Sequence, residues 1–540
     1  MDREFNLLTE PWIKVMKSDK SIDEINLRQA LVDSNDYLCL AGETKPQDFA
    51  ILRLLLALMY TIFSRYDTDG CEIDPTDDDY DPIEIWTEIW QTKKIPAVAV
   101  DKYFEKQHDR FWLFDDDHPF MQTNAVNKKS KPVSSAKLIG SLFESANKPR
   151  LFSDINSEGR TLNYAEAARW LIHLNCFDDI AAKQPTPKKT WCSKLGLMTL
   201  KGNTLFETIM LNYVADADTK SDVYISSPSW EQEQCTEFNR LISIPNDQAA
   251  LLSLRSRSLY LYRENGSVIG YYISGGDYFE EEDIPAEQMT IWRSYTEGKN
   301  TVAKFKPARH DRSKTAWQEF GAIAVFPVIG KTSNAETRTP GVIQWANYLK
   351  KQKLIDAAQV NIETAAVVYD LGQATSLPVI DAISDSLTFH SDLLTELGSG
   401  WRNKINDEIE KCEKAAKAVY SLSIDLQTSS GASGDKLSGS DAKMQFYDRI
   451  DRPFRLWLKS IDPSSRYFDD KCKELDDQLY GIAKRFGEEL AAQSGNNAIF
   501  GRYIKPDKDK KQVTSSAVAM NYYVGKIKKI FNKGDENNGG

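Results

Sequence analysis

Two hydrophobic patterns divide the chain near residue 377. Before it, short helical repeats such as Tyr164 to Leu174 alternate with β-like runs such as Ala249 to Tyr262. After it, apolar residues recur three and four positions apart, a spacing that places them on one face of an α-helix. The pattern predicts an α+β fold, with a large mixed N-terminal lobe over 1–376 and a C-terminal four-helix bundle over 377–540.

The bundle prediction depends on four apolar stripes. They run from Leu394 to Val419, from Phe446 to Ile461, from Leu475 to Leu490 and from Met520 to Phe531. Between the first two lies Thr428 to Ser440, whose glycine and serine content predicts a flexible connection. Helices with such stripes bury them against one another, so we expect them to pack as a bundle.

The most apolar segment is Phe49 to Phe63, which also carries Arg53. Its fifteen residues are too few to span a bilayer, so the segment is predicted to be a buried core helix that begins at Pro46. The first residues, MDREFNLL, lack a basic start followed by an apolar run, and no secretory signal is expected. The seven cysteines include no C-x-x-C pair, which fits a reducing cytoplasm without a membrane partner.

The overall charge argues against an anionic partner, whereas the local charge favours one. The formal net charge is −11, but it averages over surface that a partner never touches. Lys299 to Lys314 and Arg502 to Lys533 are both basic, and Lys526 and Lys529 fall on one side of the last predicted helix. A solvated helix face is the alternative interpretation of these lysines. Several basic clusters on an acidic chain nevertheless favour an extended polyanion.

A third basic cluster is the stretch KQPTPKKTWCSK, residues 183–194. It contains no acidic residue, and its four lysines are Lys183, Lys188, Lys189 and Lys194. Its prolines prevent a helix, so the lysines could follow a phosphate backbone while Trp191 stacks on a base. A plain solvated loop is the alternative.

Signals for catalysis are weak. Two His-Asp pairs, at His108 and His310, would need further ligands on neighbouring helices to act as a metal-dependent hydrolase, and none stands at a suitable spacing. Asp115 to His118 could hold a metal through carboxylates, although a turn before a buried segment explains it as well. We therefore predict no enzyme, no metal and no cofactor, and keep a metal-dependent nucleic-acid hydrolase as the alternative. A generic scaffold protein is a third, weaker hypothesis.

An ordered series of segments resembles one known family across essentially the whole chain. The segments are NLLTEPWIKV, LAGETKPQDFAILRLLLALMY, HPFMQT, GNTLFETIMLN, LLSLRSRSLYLY, TAWQ and GQAT, followed by the four predicted helices. This series is similar to CasA, the large subunit of the type I-E CRISPR surveillance complex Cascade. The resemblance implies a non-catalytic subunit whose partners are guide RNA, double-stranded target DNA, the other Cascade subunits and a helicase-nuclease. It further implies that the subunit recognises the protospacer-adjacent motif (PAM) and begins strand separation, while RNA pairing reads the sequence.

The resemblance also assigns residues. Gln373 matches the family's glutamine wedge, which separates the first base pair. Gly372 lets the backbone approach DNA closely, and Ala374 is assigned to the same DNA-binding segment. The segment 183–194 stands where the family has a glycine-rich loop, and its lysines imply phosphate contacts instead. In the loop LFSDINSEGRTL, Phe152 would stack against the guide RNA, with Asn156 and Arg160 as polar contacts.

One family feature is missing from the sequence. The family's PAM-contacting lysine aligns with Phe279 to Gln288, a segment without any lysine. That role is therefore not assigned to any residue of this chain.

Overall fold

In the computed structural model the chain forms two compact units. The first comprises Met1–Arg312, Val325–Asp356 and Asn361–Ser386, and the second comprises Ser313–Ala324, Ala357–Val360 and Leu387–Gly540. The structure describes residues 3–77, 80–126, 128, 131–139, 160–177, 190–215, 226–234, 236–280, 284, 286–295, 304–311, 314–324, 337–356, 358–369, 379–465, 467–504 and 512–532. The predicted boundary at residue 376 lies outside these described residues.

The first unit mixes strands and helices, as the alternating pattern predicted. Its strands are β1 (Glu4–Asn6), β2 (Ile13–Lys17), β3 (Ile22–Ile25), β4 (Tyr37–Leu40), β5 (Trp112–Phe114), β6 (Val133–Ser134), β7 (Leu197–Leu200), β8 (Arg240–Leu241), β9 (Arg257–Glu264), β10 (Ser267–Gly275), β11 (Asp277–Tyr278), β12 (Trp292–Tyr295), β13 (Lys304–Pro307), β14 (Thr337–Arg338), and most of β15 (Gln359–Tyr369) and β16 (Val379–His390). Its helices are α1 (Leu27–Val32), α2 (Lys45–Phe63), α3 (Pro82–Thr92), α4 (Ala97–Gln107), α5 (Tyr164–Phe177), α6 (Leu205–Asn212), α7 (Gln248–Leu252) and α9 (Gly341–Lys351). Helix α8 (Phe320–Ile323), which lies between α7 and α9 in the chain, belongs to the second unit.

The strands form several small sheets rather than one large one. Their orders are β1-β5, β3-β2-β4, β6-β10-β9, β11-β8, β13-β12-β14 and β16-β15-β7. Strands β2 and β3 form the predicted N-terminal hairpin, with Ile13 opposite Ile25. Strand β15 runs antiparallel to β7, with Ile362 opposite Leu200.

Helix α2 forms the centre of the first unit. Thr44 caps it by accepting a hydrogen bond from the Gln47 backbone N–H, and Pro46 lies in the first turn, where its missing N–H costs nothing. By length and composition this helix could cross a membrane, but 94% of its apolar stretch is buried inside the protein. The helix begins at Lys45, one residue before the predicted start at Pro46, and its place in the core is confirmed.

The second unit is predominantly helical. Its long helices are α10 (Ser399–Ser430), α11 (Ser440–Lys459), α12 (Phe468–Gln493) and α14 (Ser516–Ile530), with the short α13 (Gly495–Phe500) and the hairpin β17 (Arg502–Ile504) and β18 (Gln512–Thr514) between the last two. The predicted stripes supply its core, since Trp401, Ile405, Phe446, Leu475 and Ile527 are all buried. The mixed fold with a helical C-terminal region is therefore confirmed.

Three local predictions differ from the structure. Residues after Leu377 were predicted to continue as helix, but Val379–His390 is a strand and the long helices begin at Ser399. The run from Ala249 was predicted as strand, but Gln248–Leu252 is a helix capped by Asp247, whose side chain accepts from the Ala250 N–H. Helix α10 also extends into the predicted flexible link and ends only at Gly431, whose φ of 114° suits a residue without a Cβ.

Candidate nucleic-acid interface

The predicted nucleic-acid contacts divide into those that the structure describes and those that it does not. Gly372, Gln373, Ala374, Lys183, Lys188, Lys189, Phe152 and Asn156 lie outside the described residues. Arg160, Lys194, Lys526 and Lys529 lie within them. For the first group, the described elements on either side fix where each segment leaves and re-enters the fold.

The segment with Gln373 joins two neighbouring strands. It connects β15 to β16, which are adjacent in the sheet β16-β15-β7. Glu363 of β15 accepts hydrogen bonds from Lys201 (2.8 Å) and Lys45 (3.4 Å). Burial alone would raise the pKa of Glu363, but these two lysines outweigh it and hold the pKa below its ordinary value. Strand pairing and these ion pairs therefore stabilise β15, the described strand before the segment. The prediction that helices follow the segment directly is wrong, because the strand β16 follows it.

The segment with Lys183, Lys188 and Lys189 leaves from α5 and re-enters at a buried site. Trp191 is 4% exposed, and its Nε1–H donates to Glu287 Oε2 (2.8 Å). Both terminal nitrogens of Arg53 donate to the same carboxylate at 3.0 Å. The proposal that Trp191 stacks on a base is therefore wrong, because its ring is part of the core. Lys194 ends the short 3-10 turn Cys192–Lys194 that follows.

The segment with Phe152 and Asn156 is held at its C-terminal side. The Ser135 hydroxyl donates to the backbone carbonyl of Arg160, and Leu162 exchanges backbone hydrogen bonds with Val268 of β10 (2.9 and 2.8 Å). Arg160 itself is exposed. An exposed arginine at the end of this segment is compatible with a contact to RNA, and that role stays a prediction.

Lys526 and Lys529 lie on the exposed face of α14. The opposite face buries Ala519, Tyr523 and Ile527. The predicted position of the two lysines, away from the apolar stripe, is confirmed. Their contact with DNA stays a prediction.

One cationic sheet face combines part of the basic cluster 299–314 with residues of a neighbouring strand. Arg293 of β12 lies directly opposite Lys306 of β13, and Tyr295 lies opposite Lys304. Directly opposed residues point to the same side of a sheet, so these four side chains share one face. We call them the β12–β13 face; its three cations are exposed.

Part of the β12–β13 face was visible in the sequence. Lys304 and Lys306 belong to the basic cluster 299–314, and their alternation with Phe305 has the period of a strand. The ammonium group of Lys306 lies 5.2 Å from the centroid of the Tyr295 ring. The pairing with Arg293 could not be derived from sequence, because it depends on the register between two strands.

The candidate metal cluster at Asp115 is a structural turn. Its carboxylate accepts from the backbone N–H groups of Asp117 (2.7 Å) and His118 (2.8 Å) and pairs with Arg3 (2.7 Å). Burial would raise the pKa of Asp115, but these donors lower it below its ordinary value. Across the described part of the chain, no three His, Cys, Asp or Glu side chains are grouped to hold a metal ion. The residues described here thus give the hydrolase alternative no support.

Comparison with known proteins agrees with this architecture. The family model for CRISPR-associated protein Cse1 (CRISPR_cse1) matches residues 6–486. The CasA/Cse1 protein of Thermus thermophilus is 28% identical over 232 residues, a stretch that spans 42% of this chain and 42% of that relative.

Solved structures share the fold over nearly the whole chain. Thermobifida fusca Cse1 superposes with a TM-score of 0.79 at 22% identity, covering 98% of each chain. Thermus thermophilus CasA (Cse1) superposes with a TM-score of 0.72 at 17% identity, covering 98% of this chain and 100% of that one. A chain of a CRISPR RNA-guided surveillance complex has a TM-score of 0.67 at 15% identity, with the same coverage. Because the family model covers most of the sequence, this protein belongs to the CRISPR-associated Cse1 (CasA) family.

Proposed function

We propose that this protein is the non-catalytic large subunit of an RNA-guided defence complex that recognises the PAM in duplex DNA. The observation that carries the proposal is the match of the Cse1 family model to residues 6–486. A structural relative is a chain of a CRISPR RNA-guided surveillance complex, which supports guide RNA and the other Cascade subunits as partners. The complex would act in the cytoplasm.

The two parts of the chain would have different tasks. Residues 1–376 would cap the end of the guide RNA, through Phe152, Asn156 and Arg160, and recognise the PAM. Residues 377–540 would contact DNA and recruit the helicase-nuclease. Recognition from the minor groove, where the donor and acceptor pattern is degenerate, would tolerate several PAM sequences.

Strand separation would depend on Gln373. The wedge would enter the duplex beside the PAM, and unstacking one step costs roughly a few kcal/mol. Strands β15 and β16 flank the segment on both sides, and Glu363 of β15 accepts hydrogen bonds from two lysines, which supports a firm base for such a wedge. Phosphate contacts elsewhere would offset the cost of unstacking.

Three groups of cations are candidates for those phosphate contacts. They are the segment with Lys183, Lys188, Lys189 and Lys194, the pair Lys526 and Lys529, and the β12–β13 face. All would act through charge and carry no sequence information. Such contacts would allow an acidic chain to bind DNA at local surfaces.

The wedge is tested by Gln373→Ala in the complex reconstituted with the other subunits and guide RNA. Assembly is expected to be unchanged, while permanganate reactivity of thymines beside the PAM falls to the level of unbound duplex. Gln352→Ala is the matched control, because Gln352 is an exposed glutamine at the end of α9. Unchanged strand opening in Gln373→Ala would rule out the wedge.

The phosphate contacts are tested by the salt dependence of duplex binding. Replacing Lys188 and Lys189 by alanine, or Arg293 and Lys306 by glutamate, is expected to weaken binding for all sequences. It should also reduce the slope of log K against log salt by about 1 for each lost contact. Lys94→Glu alters an exposed lysine in the loop after α3 and should leave the slope unchanged. If a pair of substitutions leaves the slope at the wild-type value, the surface that carries those residues does not contact the DNA phosphates.

A further inference from the structure

Two cysteines of the first unit meet where a helix packs against a short turn. Cys176 is the next-to-last residue of α5, and Cys192 begins the 3-10 turn Cys192–Lys194. Helix α5 lies directly against this turn. The proposed function uses neither cysteine, so the pair is a separate feature of the fold.

The residues that precede the two cysteines are bonded to consecutive positions at the start of β9. The side-chain oxygen of Asn175 accepts a hydrogen bond from the backbone N–H of Arg257 (3.4 Å). The backbone N–H of Trp191 donates to the hydroxyl oxygen of Ser256 (3.5 Å). Because Ser256 and Arg257 are neighbours in the chain, these bonds hold the two cysteines next to each other.

The two thiols influence each other's ionisation. A hydrogen bond between them lowers the pKa of Cys192, and the charge of Arg53 acts in the same direction, although burial and the charge of Glu287 oppose both. The same hydrogen bond, together with burial, raises the pKa of Cys176 well above its ordinary value. Cys192 is therefore the thiol that ionises first. Since the thiolate is the reactive form of cysteine, Cys192 is the nucleophile of the pair.

Other cysteines in the described part of the chain have a different environment. Burial raises the pKa of Cys39, Cys412 and Cys472, so these thiols stay protonated near neutral pH. They behave as small apolar side chains in the packing. The pair at α5 is thus distinguished by a neighbouring thiol and a neighbouring guanidinium.

The exposure of the pair limits what can react with it. Cys192 is 4% exposed, and Cys176 is half-buried. A bulky reagent does not fit at Cys192, whereas hydrogen peroxide is hardly larger than water. The site therefore suits a bond between its own two sulfurs better than an adduct with a large thiol.

We propose that Cys176 and Cys192 form a reversible disulfide when a peroxide oxidises the protein. The Cys192 thiolate attacks one peroxide oxygen, the O–O bond breaks, and a sulfenic acid and hydroxide form. The Cys176 sulfur then attacks the sulfenic sulfur, so that the S–S bond forms and the S–O bond breaks. The two thiols lose two electrons in total, and the peroxide is reduced to two molecules of water, which carry the two thiol protons.

The disulfide would join the two ends of the segment that carries Lys183, Lys188 and Lys189. A covalent link of this kind restricts the unfolded chain more than the folded one, so oxidation should stabilise the protein when the native geometry accommodates the bond. Any effect on DNA binding rests on the proposed function, whereas formation of the bond does not.

Peptide mapping of the full chain after treatment with hydrogen peroxide tests the proposal. Cys71→Ser is the starting protein, because Cys71 is exposed and could link two molecules. Free thiols are blocked with N-ethylmaleimide at slightly acidic pH, so that disulfides do not rearrange. Trypsin then places the two cysteines in the peptides 170–183 and 190–194. The expected product is these two peptides joined with the loss of two hydrogen atoms, and a reducing agent should separate them.

Two further variants in the same background make the result specific. Cys176→Ser should give no linked peptide and should leave Cys192 as a sulfenic acid, which dimedone traps. Cys39→Ser changes another half-buried cysteine of the first unit and should leave the yield of linked peptide unchanged. Oxidation should raise the thermal unfolding midpoint of the Cys71→Ser protein but not that of the variant that also carries Cys176→Ser.

The proposal is overturned if the folded, oxidised protein yields no linked peptide, or yields it only after unfolding in urea. It is also overturned if peptide 190–194 is joined equally to other cysteines, or if oxidation lowers the unfolding midpoint. If Cys176→Ser does not fold, the comparison of folded with urea-unfolded Cys71→Ser protein decides, because it changes neither site. None of these measurements requires nucleic acid, so they are independent of the strand-opening experiment.

Discussion

Two buried clusters of charged side chains in this protein differ in their ratio of positive to negative charges. In the first unit, Arg53 and Glu287 pair one charge with one charge, both side chains are 1% exposed, and each carboxylate oxygen accepts a hydrogen bond from Arg53. In the second unit, Glu408 and Asp476 share the single ammonium of Lys411. Burial of the carboxylates is similar, but only the first cluster is complete in the sense that each of its carboxylate oxygens has a donor. Arg53 Nε is itself buried without a partner among the described residues. The comparison teaches that the number of donors and charges distinguishes a structural clamp from a cluster that can take up a proton near neutral pH.

The largest expected effect comes from breaking the complete pair. Glu287→Ala leaves the Arg53 guanidinium buried without its carboxylate, and we expect the free energy of unfolding to fall by about 3–5 kcal/mol. Urea unfolding followed by circular dichroism measures it. The control is Glu489→Gln, which breaks an exposed pair with Arg449 and should leave the midpoint unchanged. An equal loss in both variants would contradict the view of the first cluster as a clamp.

A smaller effect, dependent on pH, is expected from the incomplete cluster. The pKa of Glu408 is raised from 4.5 to about 7, so the folded state holds its proton more tightly than the unfolded state. This contribution to stability is fully present below pH 4.5 and is lost as the pH rises through 7. The Glu408→Gln side chain does not titrate, so its stability should not fall over this range. Between pH 5 and pH 8, the free energy of unfolding of the variant should therefore rise by about 2 kcal/mol relative to that of wild type.

Urea unfolding at several pH values measures this difference. Glu410→Gln serves as the control, because the same change of charge is made at an exposed position on the same helix. Parallel stability profiles for wild type and Glu408→Gln would show that this carboxyl group does not titrate in the neutral range.

The smallest expected effect is the loss of one hydrogen bond in the Arg53–Glu287 cluster. Trp191→Phe removes one donor to Glu287 while Arg53 still supplies two, so a loss of about 1 kcal/mol is expected. In the double variant with Glu287→Ala, this hydrogen-bond loss should vanish, because its acceptor is already gone. Fully additive losses would place the contribution of Trp191 in packing alone.

Much of the helical unit could be predicted from the sequence. The stripes from Leu394 to Val419 and from Leu475 to Leu490 became parts of α10 and α12, because the period of an amphipathic helix is a property of one segment. The core position of α2 followed from its nearly continuous apolar run, which is likewise a property of one segment. The element at 379–390 could not be predicted in this way, since a strand is stabilised by its neighbours in the sheet rather than by local spacing.

The candidate interface was only partly predictable. The sequence indicated that Lys526 and Lys529 share an exposed helix face, and α14 has them there. It also placed Trp191 among lysines as a stacking residue, whereas the indole is buried against Glu287. A cluster of charges in sequence does not show which of its members the fold turns inward.

The sequence by itself determined the amphipathic helices, the buried core helix, the local basic clusters and the resemblance to one family. Each of these is readable within a single segment or in the order of segments. Only the tertiary structure decided that Arg293 opposes Lys306 and that Lys411 bridges Glu408 and Asp476. The physical reason is that charge balance and burial depend on residues distant in the chain, which come together only when the strands and helices pack.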